Sequence, residues 1–138
     1  MKRKFSAKRS GFTMIELMVS IIVVGFALLA VLLANTAIQQ ASERARERMI
    51  ATQDAHRVVE LIRNASVNGN FPANVVTAFP NGGAVAGFNN LTNEQVVASY
   101  SNTAVDPLDI TVTTTWLEQG RRNALVQLRT LMTQRTNP

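Results

Sequence analysis

Residues 8–34 read KRSGFTMIELMVSIIVVGFALLAVLLA, and one carboxylate in them decides how the chain is understood. Glu16 stands at the threshold of a long apolar run in which Ser20 is the only polar side chain between Leu17 and Ala34. A charge near the hydrocarbon centre costs roughly 2.5–3.5 kcal/mol even on the lenient insertion scale, so an acid at this border demands a reason. The 18 residues from Leu17 to Ala34 rise about 27 Å as a helix, close to the roughly 30 Å hydrocarbon core of a bilayer. That predicts a single membrane-spanning segment.

The charge balance divides at the same place. Five of the 14 basic residues (Lys2, Arg3, Lys4, Lys8 and Arg9) precede Gly11, and no acid does. From Phe12 onward nine arginines face nine Asp and Glu residues. The basic character therefore belongs to a short leader, and no specific nucleic-acid partner is expected from it. Beside an apolar run, such a leader orients the chain with its N-terminus cytoplasmic and everything after Asn35 exported. A secretory signal peptide has a shorter apolar region followed by a small-x-small cleavage site. The Ala-rich "ALLA" at 27–30 suits that reading, which leaves Glu16 unexplained. With no cysteine in the chain, disulfide frameworks, thiolate metal sites and a cysteine nucleophile are excluded.

The helical pattern continues past Ala34. Ile38, Ala41, Ala45, Met49, Thr52, Ala55, Val59 and Ile62 recur at spacings of three and four, which predicts one apolar stripe. The opposite face carries Glu43, Arg44, Glu47, Arg48, Arg57 and Arg63, with Arg44–Glu47, Asp54–Arg57 and Glu60–Arg63 spaced to pair across a turn. No proline interrupts residues 12 to 71, and Asn68-Gly69 supplies the expected stop. These features predict one helix from about Phe12 to Ser66, apolar over 12–34 and amphipathic over 35–66.

From Asn70 to Pro107 the composition shifts to Asn, Gly, Ala and Pro, a loop region with a short strand expected at Val96–Tyr100. Leu108, Ile110, Val112, Thr114 and Trp116 then alternate on one parity, and Ala124, Val126, Leu128 and Thr130 repeat the pattern after a turn around Gly120. Residues 67–138 are therefore expected to form a small β-domain with a hairpin at about 108–132. Its core is thin unless the sheet packs on the amphipathic helix. The fold class expected is α+β: a long N-terminal helix packed against a small antiparallel sheet.

Locally, Thr13-Met-Ile-Glu16 matches a capping box, in which Thr caps the helix start and Glu reaches back to a free N–H. That leaves unexplained the glycine before an aromatic, the basic leader, and an apolar span starting directly after the acid. The combination resembles the class III signal of type IV pilins and type II secretion pseudopilins, with which it shares about a fifth of the chain. The resemblance implies that residues 1–11 are a leader removed by a prepilin peptidase between Gly11 and Phe12. It further implies that Phe12 becomes N-methylated and that Glu16 is the acid used in subunit assembly. Other pilin or pseudopilin subunits, the inner-membrane assembly machinery and the lipid bilayer are the partners it implies. The location it implies is the inner membrane, single-pass, with the C-terminal domain periplasmic and the mature form in a pilus or pseudopilus.

Within that family the closing stretch ITVTTTWLEQGRRNALVQLRTLM is similar to the last hairpin of V-type minor pilins and I-type minor pseudopilins. The helix proline and C-terminal disulfide loop of major pilins are missing, as is an acidic calcium loop. The function implied is that of a prepilin-like structural subunit. The alternative is a non-polymerising signal-anchor protein with a small exported binding domain. Catalytic chemistry finds no support: His56 is the one histidine, and Gly-rich stretches lack the Gly-Lys-Ser/Thr of a phosphate loop. No enzyme activity, cofactor or metal is expected.

Overall fold

A computed structural model describes residues 12–67 and 70–134. The chain divides into two compact units, one through Ala41 and one from Ser42. Helix α1 covers Met14–Val67, 54 residues, beginning two residues after the expected start. The Asn68-Gly69 stop lies outside the described residues.

In the first unit every large apolar side chain from Phe12 to Leu33 is 55–81% exposed. Helix geometry alone satisfies the backbone there, and nothing within the unit covers the side chains. This is the pattern of a segment whose solvent is lipid or other helices. It is long and apolar enough to cross a membrane.

The second unit is a two-layer α+β arrangement, with the remainder of α1 packed against a four-stranded antiparallel sheet. Its other elements are helix α2 (Ala73–Ala78) and strands β1 (Gly83–Ala84), β2 (Gln95–Tyr100), β3 (Leu108–Glu118) and β4 (Arg122–Met132). The strands lie in the order β1-β2-β3-β4, a meander. The register pairs Val96 with Thr114, Ala98 with Val112 and Tyr100 with Ile110. Across the hairpin it pairs Leu108 with Met132, Val112 with Leu128 and Trp116 with Ala124. The alternation read from the sequence thus becomes one inward-facing set, Leu108, Ile110, Val112, Thr114, Trp116 and Glu118, all buried. The turn sits at Gln119-Gly120, where φ is +51° and +67°. A glycine supplies one left-handed residue without steric cost. Gln119 is held in the other, because its N–H donates to Glu47 Oε1 at 3.2 Å.

The helix face that packs on this sheet keeps Ala55, Val59 and Ile62 of the expected stripe and departs from it elsewhere. Ala51, Asp54, Ala55, Val58, Val59, Ile62 and Ser66 are buried, whereas Ile38 and Met49 are exposed. Ala51 and Ala55 are fully buried. The larger Met49 lies on a neighbouring angle of the helix and stays out. Glu47, assigned by sequence to the charged face, turns inward to the hairpin, and of the three expected spaced pairs Glu60–Arg63 forms, at 2.6 Å. Val58, Ile62, Val75, Val96, Leu108, Ile110 and Val112 make the fully buried centre. Helix α2, not anticipated in the Asn/Gly/Pro-rich stretch, contributes Val75 to it, and Asn74 Nδ2 caps the Ala65 carbonyl in the last turns of α1 at 2.7 Å. Asp109 lies in β3. Arg129 Nε and Nη2 grip its two oxygens at 2.9 and 2.5 Å, and this guanidinium holds the carboxyl below its usual range.

Candidate functional site

The segment at the start of α1 carries the residues singled out by sequence. Gly11 and the leader lie outside the described residues, so the described part of this segment begins at Phe12. The Phe12 side chain is exposed.

Thr13 and Glu16 form a complete capping box. Thr13 N and Thr13 Oγ1 both donate to Glu16 Oε2, at 2.9 and 2.8 Å. In return Glu16 N reaches Thr13 Oγ1 at 3.4 Å, while Leu17 N closes the first helical turn on Thr13 O at 3.2 Å. These bonds satisfy the donors that a helix start leaves free. They also aim the carboxylate back towards the chain's N-terminal side, one residue from Phe12. Among the described residues, Glu16 Oε1 receives no hydrogen bond. One turn on, Ser20 Oγ donates to Glu16 O at 2.7 Å, so the one hydroxyl in the apolar run is consumed by its own helix and presents no polar group to lipid. Phe12, Ile15, Glu16, Val19 and Ser20 line a shallow groove of about 260 Å³. The arrangement therefore puts an acid, an uncovered apolar helix and the chain's N-terminal side in one place.

The second unit holds four buried or half-buried acids, Asp54, Glu94, Glu47 and Glu118, that sequence reasoning missed. Asp54, 5% exposed, accepts both bonds of Asn90 Nδ2 at 3.2 and 3.0 Å. Asn90 N and Leu91 N in turn donate to Glu94 Oε2 at 2.8 and 3.1 Å, so this cluster ties the loop before β2 to the helix. Burial, helped by Asp54, pushes the Glu94 carboxyl above its ordinary range despite those N–H bonds. At the hairpin tip, Glu47 accepts from Trp116 Nε1 at 3.2 Å, and Glu118, 3% exposed, pairs with Arg122 and with Arg48, the latter at 3.7 Å. The signal that could have found Glu47 and Asp54 is their spacing to Ala51, Val58 and Ile62, which places them on one face at steps of three and four. His56 is exposed. Among the described residues no three His, Asp or Glu side chains gather as metal ligands do.

Comparison with known proteins adds one finding to this geometry. Residues 6–32 match the family model described as the prokaryotic N-terminal methylation motif, which marks a class III prepilin signal, as in type IV pilins and pseudopilins. No curated protein and no solved structure matches the chain significantly.

Proposed function

We propose that this chain is a prepilin-like structural subunit, a minor pilin or pseudopilin, that joins a type IV pilus or type II secretion pseudopilus through the apolar part of α1. The observation that carries the reading is the coincidence of the methylation motif over residues 6–32 with a helix whose large apolar side chains from Phe12 to Leu33 are uncovered. Such a surface is stable in a bilayer and, after extraction, only against like helices. A subunit that passes from one environment to the other needs no catalytic site, and the work assigned here is packing, not catalysis.

In this reading the prepilin peptidase cuts between Gly11 and Phe12 on the cytoplasmic side, and Phe12 is N-methylated. The domain from Ser42 onward is periplasmic, on the side away from the basic leader. The cut creates an α-ammonium group at Phe12, in surroundings of low dielectric where an unpaired charge is disfavoured. Glu16, held at this end by Thr13, carries the charge to neutralise such an amine on a neighbouring subunit.

Glu16→Gln tests the assignment. An amide oxygen still accepts from Thr13 N and Oγ1, so the helix start and the cleavage ratio should be preserved. The charge is lost, so crosslinking or co-purification with partner pilins should fall. Normal incorporation of the processed variant would return Glu16 to the role of a helix cap. A mature protein that keeps residues 1–11 would favour a non-polymerising signal anchor.

A further inference from the structure

The formal neutrality of the chain after Phe12 conceals a separation of charge at the hairpin tip. Of three acids there, Glu118 is buried, Glu47 half-buried and Glu43 exposed, and all three take bonds from within the same unit. Glu43 accepts from Gln119 Nε2 at 3.3 Å, Glu47 from Trp116 Nε1 and Gln119 N, and Glu118 is buried beneath Arg48 and Arg122. Five arginines of the same helix turn and hairpin tip point outward. Arg48 and Arg122 keep 61% and 66% of their side chains exposed while sharing Glu118. Arg44, Arg46 and Arg121 are exposed and enter no ion pair among the described residues. The folded unit thus engages its acids at this end in internal bonds and presents five exposed arginines, a cationic collar, beside one exposed acid, Glu43.

The collar starts at Arg44, ten residues after Ala34 ends the apolar run. Arginines this close to the exported end of a span run against the usual distribution of charge. A guanidinium matches a phosphate with two parallel donors and needs no precise burial to do so. A second copy of this chain is a poor partner for the collar. From Ser42 onward its exposed acids are three, Glu43, Glu60 and Asp106, against the five arginines of the collar, and Glu43 and Glu60 already accept from Gln119 and Arg63 of the same chain.

We propose that Arg44, Arg46 and Arg121, at the meeting of α1 and the hairpin tip, bind the phosphates of anionic phospholipid headgroups in the membrane that the apolar helix enters. The lipid then holds the unassembled subunit's tip at the membrane surface, and extraction into a filament breaks that contact. This inference rests on the membrane-anchored reading above and concerns a different surface from Glu16.

The test uses the full chain reconstituted in phosphatidylcholine vesicles and in vesicles that also contain phosphatidylglycerol, each doped with a headgroup nitroxide lipid. Trp116, the only tryptophan, reports the tip by through-space quenching. Quenching should rise with the phosphatidylglycerol fraction and fall in high salt, where surface charge is screened. In the triple variant Arg44→Gln, Arg46→Gln, Arg121→Gln the lipid preference should weaken by about fivefold per arginine removed. None of the three supports an internal ion pair, so folding should survive, and an unchanged far-UV spectrum checks this. Equal quenching in both vesicle types would overturn the proposal. So would a triple variant that keeps its lipid response yet loses co-purification with other subunits, which would assign the collar to a protein partner. Alkaline extraction of the same vesicles reads membrane anchorage separately. A chain that resists extraction without a lipid-dependent signal refutes the collar alone, and one that is released with the signal intact refutes the span alone.

Discussion

Trp116 is where the two layers of the second unit are joined, and truncating it gives the sharpest stability test. Its side chain is 2% exposed, on the inward parity of β3 and opposite Ala124 on β4. Its Nε1–H donates to Glu47 Oε2 on α1 at 3.2 Å. Ala124 is too small to fill the space the indole leaves, so Trp116→Ala should cost about 3–5 kcal/mol. Trp116→Phe keeps much of the apolar contact and loses the bond to a charged acceptor, a term of about 1.5–3 kcal/mol. Glu47→Gln retains an acceptor for both Trp116 Nε1 and Gln119 N and should be the mildest of the three. Against a total stability of about 5–15 kcal/mol for a domain of this size, the alanine variant stands near the limit of folding. The assay is urea unfolding of residues 35–138, with the apolar run removed, followed by far-UV circular dichroism for all variants and by indole emission for the parent. The expected order of midpoints is parent, Glu47→Gln, Trp116→Phe, Trp116→Ala. An alanine variant with the parent's midpoint would refute the packing argument. So would parent emission typical of exposed indole and unchanged by denaturant.

Two pH-dependent outcomes follow from the buried titratable groups. Because the folded state raises the Glu94 pKa above its unfolded value, it holds that proton more tightly. The carboxyl therefore costs stability at neutral pH, and the cost disappears as pH falls through the raised value towards the usual 4.5. Glu94→Gln, whose amide can accept from Asn90 N and Leu91 N and donate to Asp54, should raise the urea midpoint at neutral pH and lose that advantage in acid; a lower midpoint at neutral pH would sink the idea. Tyr100, the only tyrosine, is buried with its hydroxyl donating to Phe79 O at 2.9 Å, and burial pushes its pKa up to about 12. Its ultraviolet titration should lag behind that of free tyrosine, with stability falling as pH rises from 10 towards 12; a midpoint near 10 would mean an exposed phenol.

Much of the fold was legible because its periods are strict. The alternation from Leu108 to Trp116 and its repeat from Ala124 place β3 and β4, and Gly120 marks the turn between them. The apolar run and the absence of proline mark α1. The face that α1 presents to the sheet was legible only in part: Ala55, Val59 and Ile62 of the expected stripe are buried, whereas Ala51, Asp54 and Val58 were not on it. Ala51 is buried where Met49 is not, and Asp54 is buried because Asn90, distant in sequence, meets both its oxygens. Helix α2 is only six residues and shares its composition with loops, so no periodic signal could announce it. At the N-terminal site the identities of Phe12 and Glu16 were readable from local sequence. The capping geometry that aims Glu16 back towards Phe12 follows from the same four residues, whereas the acids around the hairpin tip required the tertiary register.

The central claim is that a class III signal is used as such, and the intact mass of the membrane-extracted protein from cells that express a prepilin peptidase tests it most directly. The expected chain begins at Phe12 and carries one methyl group on its α-amine. A mass that retains residues 1–11, or one that begins near Val31 after a cut at Ala30, would contradict it.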